Sequence, residues 1–173
     1  MVVIIKYPKK ISKKTNETLD KLYYEFFPKS DPETKTYLDL DFKKANKLVS
    51  KFPMSVGVAY DDNKIIGWSE IYPTTKEIMH SFAYKKISET QLYNKSINLP
   101  IKKINAIYFG LYADEKKYRH RHIITRTVIA QTKYYLDINK DIEFCVWPYS
   151  KQGLNLAQII AKHFKKELYV RED

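Results

Sequence analysis

The chain has 173 residues, 44% of them hydrophobic, and its 31 Lys and Arg against 20 Asp and Glu give a formal net charge of +11 at pH 7. That length suits one domain with a core and is short for two, so 1–173 is expected to fold as a single domain. The lone Cys145 excludes an intramolecular disulfide and a Cys-rich zinc site, while the charge favours polyanionic partners such as nucleic acid, acidic proteins or phosphorylated cofactors.

Met1–Ile5 is too short an apolar run for a signal sequence, and no stretch has the length of a membrane span, so a soluble cytoplasmic protein with no membrane partner is expected. Val2–Lys6, β-branched and apolar, predicts a first strand, broken by Pro8 and the lysines that follow. Thr15 or Asn16 is expected to cap a helix over Asn16–Phe27, with Leu19, Leu22, Tyr23, Phe26 and Phe27 on one face and Pro28 ending it. Ser30–Lys35 reads as a polar connection. Asp41 is expected to cap a second helix, Phe42–Phe52, whose Phe42, Ala45, Leu48 and Val49 share a face.

Ser55–Tyr60 and Ile65–Tyr72 are rich in β-forming residues and joined by Asp61-Asp62-Asn63-Lys64, which predicts a hairpin. Thr74–Leu99 has no clear period and reads as an irregular helix or an extra strand around Met79–Tyr84. Ile104–Ala113 and Ile142–Pro148 read as buried strands, with a helix over Ile123–Leu136 between them; a helix Asn155–Phe164 and a strand Glu167–Val170 close the chain. Strand-helix-strand units in the second half require parallel pairing and the hairpin requires antiparallel pairing, so the sheet is mixed.

The segment Ile107–Ile124, IYFGLYADEKKYRHRHII, carries the strongest functional signal. A strand runs into Lys116, Lys117, Arg119 and Arg121, interleaved with His120 and His122, and then into a helix that carries Arg126. Cations at the positive end of a helix dipole are unfavourable by up to roughly 1 kcal/mol each unless an anion offsets them. Backbone N–H groups and Arg side chains together would bind phosphate. A solvated, screened basic loop is the plainer alternative.

This order of elements resembles the GNAT superfamily of N-acetyltransferases, most closely from Val56 to Phe164. Tyr60–Trp68, YDDNKIIGW, is similar to the family's second-to-third strand hairpin with Gly67 opening the third strand. Leu111-Tyr112-Ala113-Asp114 and Tyr118-Arg119 are similar to the end of its fourth strand and the start of its pyrophosphate loop, and Asn155-Leu156-Ala157 with His163-Phe164 to its last helix. The resemblance implies an α/β fold with a mixed, mostly antiparallel central sheet, parallel splayed strands and about four flanking helices. It also implies an acyl-CoA-dependent N-acyltransferase that moves acetyl from acetyl-CoA to an amine on a protein, a small molecule or aminoacyl-tRNA.

On that reading Leu111, Ala113, Arg119, His120, Arg121, His122, Ile123, Ile124 and Asn155 bind the cofactor, Glu70 on the third strand is the base, and Tyr149 is the acid for the leaving thiolate. The family loop reads Gln/Arg-x-x-Gly-x-Gly/Ala, and here His122 and Ile124 stand at its small positions, where they are expected to crowd a pyrophosphate. The position of the family's frequent Tyr acid falls on Ile159, which excludes that role. The alternative keeps the fold without CoA and uses the basic strip for nucleic acid, such as tRNA, or for an acidic partner, with Tyr118, Tyr134 or Tyr135 stacking on bases. A homodimer is left open. No metal is expected, because His80, His120, His122 and His163 are accompanied by no HExxH, Cys pair or carboxylate triad, and Cys145 reads as inert packing. There is no phosphate-binding P-loop and no serine nucleophile elbow.

Overall fold

A computed structural model describes residues 3–26, 41–114 and 116–172. The expected end of the first helix at Phe27 and the Ser30–Lys35 connection lie outside the described residues. The chain runs β1 (Val3–Lys6), α1 (Lys13–Phe26), α2 (Phe42–Lys51), β2 (Val56–Asp61), β3 (Lys64–Thr74), α3 (Lys76–Ala83), α4 (Glu89–Ser96), β4 (Ala106–Asp114), α5 (Ile123–Ile138), β5 (Glu143–Val146), α6 (Lys151–Phe164) and β6 (Leu168–Val170). A short 3-10 helix precedes β4 and a second, Lys116–Arg121, precedes α5. No helix among the described residues is long and apolar enough to cross a membrane.

The caps account for most of the boundaries. Asp41 accepts from Lys43 N–H and Lys44 N–H, both at 2.9 Å, and starts α2 as expected. The first helix begins at Lys13 rather than Asn16, because Ser12 Oγ accepts from Thr15 N–H at 3.0 Å. The last begins at Lys151 rather than Asn155, because Ser150 Oγ accepts from Gly153 N–H at 3.1 Å. Among the described residues six α-helices stand where about four were expected. The difference lies partly in Thr74–Leu99, which holds α3 and α4 and no extra strand after Thr74. There Thr75 caps α3, and Ser88 with Gln91 forms a reciprocal capping box for α4.

Among the described residues six strands form one sheet in the order β1-β2-β3-β4-β5-β6. Pairing is antiparallel from β1 to β4 and parallel from β4 to β6, as the mixed sheet requires. Asp62 and Asn63 take φ of 46° and 68°, the two left-handed residues of a primed turn that matches strand twist, so β2 and β3 close as a hairpin.

Alternation along β3 sends successive side chains to opposite faces. Ser69 faces α5, where its hydroxyl donates to Gln131 Oε1 at 2.6 Å. On the same face α5 lies close over β2: a Cβ added at Gly57 would stand 2.3 Å from Thr127 Cγ2. Helix α6 packs on α5, β5 and β6. Trp68, Glu70 and Tyr72 face the other way, under α1 and α4, with Tyr108 of β4 beside them against Phe82 of α3. Tyr93 of α4 donates to Lys44 O at 3.0 Å and so ties α4 to α2.

Candidate functional site

The site begins with a change of register. Ile71 pairs Phe109 and Glu70 pairs Leu111, which leaves Gly110 as the extra residue of a β-bulge on β4. On the opposite edge of β4, pairing with β5 stops at the same level, Phe109 with Val146. From Gly110 to Asp114 that edge has no strand partner among the described residues, while β3 stays paired to Asp114. A length of main-chain N–H and C=O is therefore open to an extended ligand that can pair as a strand does. Gly110 is required here because the Tyr72 ring lies across it: a Cβ would stand 2.2 Å from Tyr72 Cε2.

Glu70 sits beside this opening on β3, 8% exposed. Its Oε2 accepts from the Tyr72 hydroxyl at 2.9 Å and its Oε1 from Trp68 Nε1–H at 3.3 Å. Burial lifts its pKa from the ordinary 4.5 to about 7. The two hydrogen bonds work against that rise, and the charges of Glu89 and Asp20 add to it. A carboxyl that changes charge near neutral pH can take a proton from a neighbour and hold it, as a general base must.

The far end of the opening is the start of α5. Tyr118, in the 3-10 turn before it, is buried and donates to Asp61 Oδ2 at 2.6 Å, which fastens the turn to the β2–β3 hairpin. His122 caps α5 in the left-handed conformation, φ 53°, with no side-chain bond to the first turn. It thus keeps the backbone shape that glycine supplies at this point of the family loop, since His visits that region more readily than most residues do. We expect His122→Gly to raise stability by up to about 1 kcal/mol, read as the urea midpoint, because it relieves the left-handed strain.

Ile123 and Ile124 are buried, Ile124 among the core residues around Val128. Their side chains turn inward, so what they offer a ligand is main-chain N–H. With Thr125 they form a first turn whose N–H groups have no acceptor within the helix. No acid lies in that turn, and Arg121 and Arg126 flank it, both exposed. Leu111, Ala113, Arg119 and His120 belong to the strand and the 3-10 turn, but their side chains lie outside the described residues.

No family model matches the sequence, and no curated protein matches it. Solved structures do. AAC(6')-Iy in complex with the bisubstrate analog CoA-S-monomethyl-acetylneamine is 12% identical, with TM-score 0.55 over 100% of this chain and 96% of that one. The loading GNATL domain of CurA from Lyngbya majuscula is 13% identical, with TM-score 0.59 over 90% and 69%. The chain has the GNAT fold. Diaminobutyrate acetyltransferase EctA from Paenibacillus lautus, in complex with L-2,4-diaminobutyric acid and coenzyme A, adds a third match at 14% identity and TM-score 0.51 over 94% and 76%.

In the GNAT frame the remaining residues fall as follows. Tyr149 lies half-buried in the turn from β5 to α6, and Asn155 is exposed on α6. Ile159 is 53% exposed on α6. Cys145 is buried in β5, where burial raises its thiol to about 12, far from any nucleophilic role. His80 is bound to Glu143 at 2.9 Å, part of an ion pair set with Lys76 and Asp141 on the outer side of the sheet end. Tyr118 and Tyr135 are both buried, and Tyr135 donates to Pro53 O, which removes them as base-stacking platforms.

Sequence reasoning missed four residues that build the Glu70 environment: Trp68, Tyr72, Tyr108 and Glu89. For the first two the signal was the spacing, because Trp68-x-Glu70-x-Tyr72 puts three bond-making side chains on one face of a strand. For Glu89 it was the capping box that starts its helix.

Proposed function

We propose that this protein is an acyl-CoA-dependent N-acyltransferase whose 173 residues work as one domain, with Glu70 as the base. The observation that carries the reading is a buried carboxyl of pKa about 7 at the level where β4 parts from β5. Acetyl-CoA fits the chain's own donors. Its amide-bearing arm matches the open edge of β4, and its phosphates match the acid-free first turn of α5 with Arg121 and Arg126 beside it. Arg119 and His120 are proposed to join them, and Asn155 to contact the same ligand from α6. The solved matches that hold coenzyme A or a CoA-derived analog support this choice of donor.

Acetyl-CoA supplies the acyl group as a thioester. The chain aligns it along β4 and holds the acceptor amine near Glu70, which takes the amine proton directly or through one water as the C–N bond forms. Tyr149 returns a proton to the sulfur as the C–S bond breaks. The acceptor is an amine, and the acceptors in the solved matches are of that kind.

The test is calorimetric titration of nucleic-acid-free protein with acetyl-CoA. Micromolar binding is expected, weakened at least about tenfold in the Arg121→Ala/Arg126→Ala double variant, because charged hydrogen bonds are worth about 1.5–3 kcal/mol each. Absence of binding would overturn the reading and leave a CoA-free protein that binds a polyanion through its basic surface.

A further inference from the structure

A second carboxylate reaches the same face of the sheet, from a helix that contributes nothing to the cofactor edge. Glu89 is the first residue of α4, is 5% exposed, and accepts from the Tyr108 hydroxyl at 2.6 Å. Tyr108 pairs with Tyr72 across β4 and β3, and their rings stack at 5.6 Å with 26° between planes. The arrangement is therefore doubled: Glu70 is held by the phenol of Tyr72, Glu89 by the phenol of Tyr108, and the two phenols are stacked on each other. The capping box of α4 fixes where Glu89 enters: Gln91 N–H donates to Ser88 Oγ at 3.2 Å and Ser88 N–H to Gln91 Oε1 at 2.8 Å.

We infer that Glu89 is a positioning residue for the reaction, one that holds the Tyr108–Tyr72 stack in place and, by its negative charge, sets the pH at which Glu70 becomes a base. This rests on Glu70 being the base of the proposed acyl transfer. Among the described residues the groups that bear on Glu70 come from four elements. From β3 come Trp68 and Tyr72, from β4 Tyr108, from α4 Glu89 and Tyr93, and from α1 Asp20, whose side chain accepts from Asn16 Nδ2 at 2.8 Å. The phenols stay neutral, since burial raises both Tyr72 and Tyr108 well above 10.0 and raises Tyr93 to about 12. Among these groups two carboxylates raise Glu70 by their charge, Glu89 more strongly than Asp20. Both are negative, so each delays loss of the Glu70 proton.

The structure supplies its own reporter. Trp68 Nε1–H donates to Glu70 Oε1, so the indole N–H resonance of Trp68 follows the ionisation of Glu70 in the free protein with no substrate present. In the parent that resonance is expected to titrate near pH 7, and in Glu70→Gln the titration should vanish. In Glu89→Gln the midpoint is expected to fall by about one pH unit, because a negative charge close by in a low-dielectric interior has been removed. Glu89→Asp, which keeps the charge, should hold the midpoint within a few tenths of a unit even if it loosens the stack. The acid limb of kcat/KM should move with the Trp68 midpoint.

An unmoved midpoint in folded Glu89→Gln would overturn the inference, as would an equal fall in Glu89→Asp. If Glu70→Gln retains full activity while Glu89→Gln still shifts the Trp68 midpoint, the base assignment has failed and the electrostatic link stands. The two failures are thus told apart.

Discussion

Glu70→Gln is expected to lower kcat by about 10²–10⁴-fold, the range over which a positioned general base contributes. In the parent, activity should rise with pH through an acid limb near 7, since only the ionised form accepts a proton and burial holds Glu70 there. The same substitution should have the opposite effect on stability. Between 4.5 and about 7 the folded protein keeps a proton that the unfolded chain has lost, so the parent loses stability as pH rises through that window. The variant has no such loss. The stability of Glu70→Gln relative to the parent should therefore increase by roughly 3 kcal/mol between pH 4 and pH 8, measured as urea unfolding at the two ends. A variant that loses activity and gains alkaline stability shows a group kept for its chemistry against the interest of the fold.

Gly110→Ala carries the second large effect. The added Cβ would lie 2.2 Å from Cε2 and 2.8 Å from Cδ2 of the Tyr72 ring, so the ring must leave its place over β4. The cost is expected at about 1–3 kcal/mol, the range for forcing a methyl group into packed surroundings. As Tyr72 moves, Glu70 loses a hydrogen bond that favours its charged form, and the acid limb should shift upward. Gly153→Ala is the control. It lies in α6, where a Cβ meets nothing nearer than Ser150 Oγ at 3.5 Å, and it should stabilise by about 0.5–1 kcal/mol as alanine replaces glycine in a helix. Urea unfolding of both variants, with pH–rate profiles, reads all of these effects.

Much of the architecture is legible in the sequence because its determinants are local. The Asp61–Lys64 turn, the Asp41 cap and the apolar strands Ala106–Asp114 and Glu143–Val146 each declare themselves within a few residues, and their order leads to the mixed sheet. Thr74–Leu99 is harder. Its two helices have eight residues each, and the buried set of α4 mixes Glu89 and Ser96 with Leu92 and Tyr93, so hydrophobic periodicity is blurred. Burial of Glu70 follows from α1 and α4 meeting over β3 beside Tyr108 of β4, a long-range fact that no window of sequence contains. The glycine-free loop misleads for a related reason. Ile124 looks like an obstacle in the motif, but the register of α5 turns its side chain into the core.

The ways in which the strands are joined have a mechanical consequence. From β1 to β4 the sheet is antiparallel throughout, with β2 and β3 joined by a primed turn, whereas β5 is fastened to β4 in parallel by four residue pairs before the two diverge. The seam where β4 and β5 part therefore runs through the place where an extended ligand would lie. Such a ligand would work as a rivet across that seam, replacing the ladder that the divergence leaves out. Its occupancy would appear as resistance to unfolding, growing with the logarithm of its concentration once the site is filled.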